Sequence, residues 1–282
     1  MTKSKYLFKI YYIGKKKYYG SQRQFNFLTI EQSIIFALMN RGYIQEVSNS
    51  EFEFASRTDR FVSARGACFT CIVEKKPILM EINSVLPNEI GFWAYTKVPL
   101  EFSSRYNAIL RHYIYIVPIP ASILQKTLDI NIDIMKKACL QLEGRHDFLN
   151  FSKSTKEIKN TIRDMDSVTL SIQNDHLIFH FLSKSFLRQQ IRRIIKKVLD
   201  LGMSKILYED FLKLFDPSKI YSYQPADPRG LILWNIKYND EIKFIEDLKS
   251  KSKMNNFFSQ EEIKFDLKYN LFKVLQQDNL SY

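Results

Sequence analysis

The residues best suited to chemistry form the segment Ser56-Arg57-Thr58-Asp59-Arg60, which lies between two predicted strands. Positive charge from the two arginines favours the ionised form of Asp59, so this carboxylate is a poor proton donor and a reasonable nucleophile or oriented base. Loops often carry such groups. The alternative is a turn aspartate held by its own backbone and by surface ion pairs, and the local sequence by itself favours that alternative.

Other chemistries find little support. Cys68 and Cys71 have the spacing of a zinc knuckle, but a second pair of ligands is missing. Both cysteines fall in a predicted strand, where residues i and i+3 point to opposite faces. A glycine-rich phosphate loop is also missing. These residues therefore give no argument for a metal.

The charge balance indicates a polyanionic partner. Lysine and arginine exceed aspartate and glutamate by 42 to 30, which gives a net charge of +12. Residues 1–30 contain seven bases and no acid, and residues 176–199 contain six bases and no acid. Like charge that is segregated in this way is unfavourable unless a partner neutralises it. A merely solubilising charged face is the alternative.

The elements that must position these residues repeat in one order: strand, helix, strand, strand, helix, strand. The first copy is predicted from Tyr6–Ile13, Thr29–Asn40, Glu51–Ser56, Ala67–Val73, Leu79–Leu86 and Gly91–Val98. The second is predicted from Tyr113–Val117, Ile132–Glu143, Ser167–Ile172, Leu177–Leu182, Phe186–Leu201 and Leu231–Tyr238. Thr29 is the expected N-cap of its helix, and Asn174-Asp175 is the expected turn between two paired strands.

This order predicts an α+β fold with two ferredoxin-like (βαββαβ) halves, residues 1–104 and 105–238, related by pseudo-twofold symmetry. Their antiparallel sheets are expected to join edge to edge into one concave surface. Residues 239–282 fit neither half and are predicted to form a helical appendage, with amphipathic helices around Ile242–Leu248 and Phe265–Leu275.

The chain of 282 residues allows one large domain or two ordinary ones. Its sequence has no apolar run of the ~20 residues that a membrane span needs, and Met1 to Lys9 alternates charged and apolar residues where a signal peptide would be apolar. The three cysteines are an odd number, which fits a reducing compartment. A soluble cytoplasmic protein is expected.

Six motif blocks are informative when they are considered as one set. They are Tyr18-Tyr19-Gly20-Ser21-Gln22-Arg23-Gln24, Ser56 to Ala64, Arg105 to Tyr115, Leu142 to Phe148, Phe186 to Ile194 and Asp227-Pro228-Arg229-Gly230-Leu231. In this order they resemble the tRNA pseudouridine synthases of the TruA type, and Arg60 and Ser63 are more similar to archaeal members. The resemblance covers residues 6 to 238 and implies the same paired ferredoxin-like halves.

The resemblance implies an isomerase that converts uridine to pseudouridine in the anticodon arm of tRNA, works as a homodimer and needs no cofactor. It places the nucleophile on Asp59, which attacks either the sugar or the base. It further implies that Arg57 holds the base flipped, that Tyr113 stacks on the target uracil, and that Arg192 pairs with the aspartate. A non-catalytic RNA-binding protein is the rival, since ferredoxin-like sheets with aromatic residues bind single-stranded RNA.

RNA backbone contacts are expected from the basic residues around this site, which position the substrate without reading its sequence. These are Lys15, Lys16, Lys17, Arg23, Arg60 and Arg188. In the predicted helix 186–201, Arg188, Arg192 and Lys196 recur every four residues on one face, at a small cost in repulsion that contact with Asp59 and phosphates would offset. One departure from the family pattern is Phe61, which stands where glycine is usual. It predicts either a differently shaped loop after Asp59 or a phenylalanine packed on the sheet.

Overall fold

The computed structural model describes residues 3–153 and 160–276 of the chain. Within these residues, ten strands belong to one mixed sheet, flanked by helices. The strands are β1 (Ser4–Tyr12), β2 (Glu53–Phe54), β3 (Ser63–Val73), β4 (Ile90–Val98), β5 (Leu110–Ile116), β6 (Gly144–Asp147), β7 (Ile162–Gln173), β8 (His176–Ser183), β9 (Leu231–Lys237) and β10 (Ile245–Glu246). The α-helices are α1 (Ile30–Asn40), α2 (Leu79–Asn83), α3 (Ala121–Leu128), α4 (Ile132–Gln141), α5 (Gln190–Gly202), α6 (Tyr208–Leu212) and α7 (Leu248–Leu275). The predicted α+β class is confirmed.

Local sequence signals explain several element boundaries. The Oγ1 atom of Thr29 accepts a hydrogen bond of 3.2 Å from the Gln32 amide, as expected of an N-cap. The residues Asn174 and Asp175 have positive φ angles of 47° and 59°, which suit the tight hairpin between β7 and β8. Sequence reasoning missed α3, β6 and α6, which are short elements of eight, four and five residues.

The sheet consists of two groups of strands with the same internal order. In the first group β1 lies between β4 and β3, and the short β2 pairs with β3. In the second group β5 lies between β9 and β8, and β7 follows β8. All pairs within the groups are antiparallel, whereas β3 and β9 join the groups through a short parallel pairing. The four main strands of each group therefore follow the order 4-1-3-2.

The junction between the groups positions the candidate site. β2 pairs with β3 at Phe69 and Thr70, while β9 pairs with the same edge of β3 at Ser63 and Ala64. The segment 55–62 leaves the sheet where this edge changes partner. It is thereby held between the two groups, and it contains Asp59.

One large apolar core extends through both groups. It includes phenylalanines of neighbouring strands and the inward faces of α1, α4 and α5. Phe8 and Phe69 stack with ring centroids 5.1 Å apart, and Phe179 and Phe181 do so at 6.3 Å. Rings of this kind bury large areas and contribute strongly to the stability of the core. The segment at the junction is thus attached to strands that this core stabilises.

The predicted helix around Ile242–Leu248 is wrong. Residues Ile245 and Glu246 instead form β10, which pairs with Tyr95 and Ala94 of β4. An edge strand offers unpaired backbone groups, and this pairing satisfies them. The predicted helix at Phe265–Leu275 is found as the end of α7, but its apolar side chains are exposed, among them Phe265 and Leu267.

The fifth helix begins later than predicted. Gln189 has a left-handed backbone (φ 60°), and the Leu187 amide donates to the Gln190 side chain, so α5 starts at Gln190 and not at Phe186. Arg188 therefore lies outside the helix. Lys196, the last of the three bases in the predicted row, forms an ion pair with Asp200 at 2.8 Å, so its charge is partly neutralised.

Candidate active site

A carboxylate from the segment 55–62 and a guanidinium from α5 meet at the junction of the two strand groups. The Nη1 atom of Arg192 donates to Asp59 Oδ2 at 2.8 Å. The Arg192 side chain is only 10% exposed, whereas that of Asp59 is 32% exposed. Burial of the cation strengthens the pairing, and the accessible carboxylate can still touch a bound molecule. The pair therefore combines a partly accessible carboxylate with a fixed counter-charge.

Hydrogen bonds to its neighbour Thr58 fix the position of Asp59. The Thr58 hydroxyl lies 2.8 Å from that of Tyr12 in β1, and the Thr58 amide donates to Ser21 Oγ at 2.8 Å. A Cβ atom on Gly20 would lie 2.9 Å from the Thr58 carbonyl oxygen, and Gly20 also has a φ of 95°. Only glycine fits this close approach without strain. The segment Tyr19-Gly20-Ser21 therefore supports the turn that carries Asp59.

Reciprocal backbone contacts fix the direction of the Arg192 side chain. Its Nε atom donates to the Ala226 carbonyl at 2.8 Å, and the Ala226 amide donates to the Arg192 carbonyl at 2.9 Å. The planar guanidinium thus uses one edge for Ala226 and another for Asp59. The segment 225–229 is held against the first turns of α5 in this way.

Tyr113 lies close to this pair and is nearly buried. Burial is the main cause that raises its pKa; Ser56 and Arg111 act in the opposite direction, and the negative charge of Asp59 raises the pKa further. The Tyr113 hydroxyl therefore stays protonated at neutral pH. Its ring meets Phe186 edge to face, with the centroids 5.2 Å apart. The ring direction is thus set by apolar packing.

Sequence reasoning missed the role of Arg111, which joins the two strand groups beneath the site. Its Nε atom donates to Ser56 Oγ at 2.7 Å, and its Nη2 atom donates to the carbonyls of Ala55 and Arg105 at 2.9 Å each. Its Nη1 atom also donates to the Lys184 carbonyl. A buried guanidinium with this many partners fixes the segment before Asp59. Its only sequence signal was its place in the motif block Arg105 to Tyr115, two residues before the predicted strand Tyr113–Val117.

The predicted RNA-binding bases occupy different electrostatic settings. Lys15 and Lys17 both pair with Glu89, the former at 3.7 Å, and Arg23 pairs with Glu31 at 2.9 Å. The acid-free N-terminal stretch is thus partly neutralised by acids from later segments. The side chains of Lys16, Arg57 and Arg188 are exposed. Arg57 lies in the segment 55–62 beside Asp59, whereas Arg188 lies in the loop before α5.

Phe61 differs from both sequence expectations. Its backbone has a φ of 69°, so the loop keeps the left-handed shape that glycine favours even though a phenylalanine occupies it. Its ring lies partly buried beside Arg192 and the segment 225–229, with which it lines a pocket of about 360 Å³. Asp59 and Tyr113 do not line this pocket, which adjoins the ion pair through Arg192.

Among residues 3–153 and 160–276, no group of three or more His, Cys, Asp or Glu side chains is arranged to hold a metal ion. Cys68 and Cys71 are buried in β3, and burial raises the pKa of the Cys68 thiol to about 11. Over the same residues, every helix is too short or too polar to cross a membrane.

The chain is similar in sequence to several named proteins. A family model described as tRNA pseudouridine synthase matches residues 138–239. Relatives called tRNA pseudouridine synthase A are 31% identical in Methanosphaera stadtmanae, over 90% of each chain, and 33% identical in Pyrococcus furiosus, over 87% of each. The relative from Archaeoglobus fulgidus is 31% identical over 98% of this chain and 99% of its own.

These matches define the class of protein. The chain belongs to the tRNA pseudouridine synthase family, whose members are isomerases that convert uridine to pseudouridine. The resemblance inferred from the motif blocks, including its archaeal character, is confirmed.

Proposed function

We propose that this protein isomerises uridine to pseudouridine in the anticodon arm of tRNA, with Asp59 as the nucleophile. In this reaction the bond between C1′ and N1 of the uridine breaks and a bond between C1′ and C5 forms. The proton that leaves C5 is balanced by the proton that N1 gains, so no oxidant, reductant or group donor is consumed. The observation that carries the proposal is the ion pair at 2.8 Å between Asp59 and Arg192 at the junction of the sheet.

The geometry supports a division of labour between the two partners. Asp59 must be ionised to attack, either at the sugar or at the base, and the guanidinium of Arg192 stabilises that form. Since the guanidinium is also bonded to Ala226, it holds the carboxylate in one direction. The accessible part of Asp59 remains for the substrate. Arg192 is therefore a positioning partner whose removal would disturb both charge and aim.

Two further residues are proposed to handle the base. The flat ring of Tyr113 would stack on the target uracil and let it turn without access of water. Arg57 is exposed in the segment that carries Asp59, and its planar cation could donate into the space that a flipped base leaves. Opening of an RNA helix costs a few kcal/mol, which such contacts would offset.

The same proposal assigns a backbone-binding role to the bases around the site: Lys15, Lys16, Lys17, Arg23, Arg60 and Arg188. The Nη2 atom of Arg60 donates to the Lys16 carbonyl at 2.8 Å, which links that loop to the aspartate segment. Partial pairing with Glu89 lowers the net charge that Lys15 and Lys17 offer. We also propose a homodimer located in the cytoplasm, as the family resemblance implies.

At the level of domains, we propose two ferredoxin-like halves, residues 1–104 and 105–238, followed by the appendage 239–282. The common strand order 4-1-3-2 supports the proposal. The appendage adds β10 to the edge of the first half and packs Met254 against Tyr11 and Trp93.

The experiment that tests this function uses unmodified tRNA tritiated at uracil C5. We expect release of tritium to water in the presence of chelator and without any cofactor, because the C5 proton is lost when the new bond forms. The Asp59→Asn variant should release none while its affinity for tRNA stays within about tenfold of wild type. Binding without any release by the wild-type protein would favour the rival, a non-catalytic RNA-binding protein.

A further inference from the structure

Four flat side chains form a row in space that ends at Phe61, two residues after Asp59 in the chain. The rings of Phe27 and Tyr19 stack with centroids 4.3 Å apart. The guanidinium of Arg60 lies 3.9 Å from the Tyr19 ring centre and 4.9 Å from that of Phe61. A hydrogen bond from Arg60 to the Lys16 carbonyl keeps the guanidinium in place. The arrangement is a preformed stack that ends at Phe61.

The backbone at Phe61 is strained and tightly held. Its φ of 69° is one that glycine adopts freely and phenylalanine does not. The opposite loop touches it so closely that a Cβ atom on Gly14 would lie 2.3 Å from the Phe61 carbonyl group. Strain of this kind persists where the surroundings enforce it, and such positions cluster at ligand sites. Glycine would satisfy this backbone without strain, so the backbone does not explain the ring.

The ring of Phe61 forms part of the wall of the pocket that adjoins the ion pair. Two prolines, Pro225 and Pro228, add apolar surface to that wall, and Arg229 adds a guanidinium plane that is paired with the Asp227 carboxylate of the same wall. The volume of about 360 Å³ falls in the range of ligand pockets, roughly 300–1,000 Å³. An aromatic face next to cationic groups is the usual platform for a nucleobase in single-stranded RNA.

We propose that this pocket is a second base-binding subsite, which accepts the nucleobase next to the target uridine and stacks it on the ring of Phe61. The proposal rests on the proposed function. Because Asp59 and Tyr113 do not line the pocket, the target uracil itself belongs elsewhere, beside the carboxylate. Capture of the neighbouring base would keep the strand from restacking while the target base is turned. Phe61 is thus a specificity and positioning residue for the same reaction.

The Phe61→Gly variant distinguishes the contribution of the ring to binding from the effect of the backbone conformation. Since glycine relieves the positive φ, we expect the melting temperature to stay equal or rise, while affinity for tRNA falls by about 5- to 150-fold, the range for loss of one base–aromatic stack. Phe61→Tyr should restore binding. The matched control is Asn174→Gly, which relieves a φ of 47° at a distant hairpin. That control should raise stability without any change in tRNA affinity.

An abasic substitution in the RNA identifies the base. With an anticodon stem-loop that lacks the base on one side of the target, wild type should lose affinity, and Phe61→Gly should show no additional loss. Additive effects at both flanking positions would overturn the proposal, and so would coupling to the target base itself. A parallel fall in melting temperature and affinity for Phe61→Gly would make the ring structural only.

The two proposals fail in different ways. If wild type releases no tritium from tRNA, the proposed function fails. If wild type is active but Phe61→Gly binds and reacts as wild type does, only the subsite is refuted.

Discussion

Replacement of Arg192 by glutamine tests the ion pair on which the proposed mechanism depends. Glutamine keeps a hydrogen-bond donor of shorter reach but removes the positive charge, so Asp59 loses its counter-charge and its fixed direction. We expect slower turnover with little change in tRNA affinity, because the guanidinium faces a protein carboxylate at 2.8 Å. Arg192→Lys keeps the charge but cannot reach Ala226 and Asp59 in one plane, so it should recover only part of the rate.

The size of the effect follows from the contacts. A hydrogen bond between charged groups contributes about 1.5–3 kcal/mol. The pair is partly screened by solvent, since the Asp59 side chain is 32% exposed, and this makes larger values from Coulomb's law inappropriate. At about 1.4 kcal/mol per factor of ten, the single-turnover rate should fall by roughly 10- to 150-fold.

The assay is single-turnover release of tritium from C5-labelled tRNA at saturating enzyme, with tRNA affinity measured separately by filter binding. Arg193→Gln is the matched control, because Arg193 is as buried as its neighbour in α5 and donates to the Tyr223 carbonyl at 2.9 Å, away from Asp59. A folded Arg192→Gln variant with a rate within threefold of wild type would refute the reasoning. So would an equal loss in the Arg193→Gln control.

Three further predictions concern charge and stability. Simultaneous replacement of Lys15–Lys17 by alanine should weaken tRNA binding and reduce the slope of log affinity against log salt by about 1 to 2. This reduction is smaller than three phosphate contacts would give, because Glu89 already neutralises part of the charge. An unchanged slope would exclude this loop from the interface. Arg111→Met should lower the free energy of unfolding in urea by about 3 kcal/mol or more, since it leaves several buried carbonyls without donors, and a loss under 1 kcal/mol would contradict that role. Burial lowers the pKa of both His112 and His180, whose ring nitrogens lie 3.0 Å apart. Below pH 6.5 the unfolded chain therefore binds more protons than the folded chain does. The free energy of unfolding should fall as the pH decreases from 6.5 to 5. Replacement of both histidines by glutamine should flatten that dependence, and an unchanged pH profile of unfolding would refute the cause.

Periodicity and turn chemistry were sufficient for the regular parts of the fold. The alternation of apolar residues, the cap at Thr29 and the Asn-Asp hairpin are local signals, and the structure follows them. Long-range competition decided the failures. Residues Ile245 and Glu246 form a strand because β4 has an open edge, a fact that the local sequence does not contain. The start of α5 likewise follows a long-range contact, since the Lys153 amide donates to the Arg188 carbonyl at 2.9 Å just before the left-handed residue Gln189.

The candidate site likewise has residues that the sequence indicated and contacts that it did not. Asp59 stood out because two arginines flank it, and the motif blocks indicated Arg192 as its partner. The clamp at Arg111 and the pocket wall at residues 225–229 depend on backbone carbonyls, which every residue has, so residue types could not reveal them. The acids that neutralise Lys15, Lys17 and Arg23 come from other elements, so counting charge along the chain overstated the free positive charge.

The origin of the ion pair has a consequence for biosynthesis. Asp59 is made early, but its counter-ion is added 133 residues later, on a helix of the other strand group. An unfinished chain that has folded only its first group would carry a carboxylate without the cation that aims it. Under the proposed mechanism, reactivity would therefore appear only when the ribosome has delivered both groups and they have docked. Two separately expressed fragments, divided near residue 104, would regain turnover only by association, so the catalytic rate would itself report their assembly.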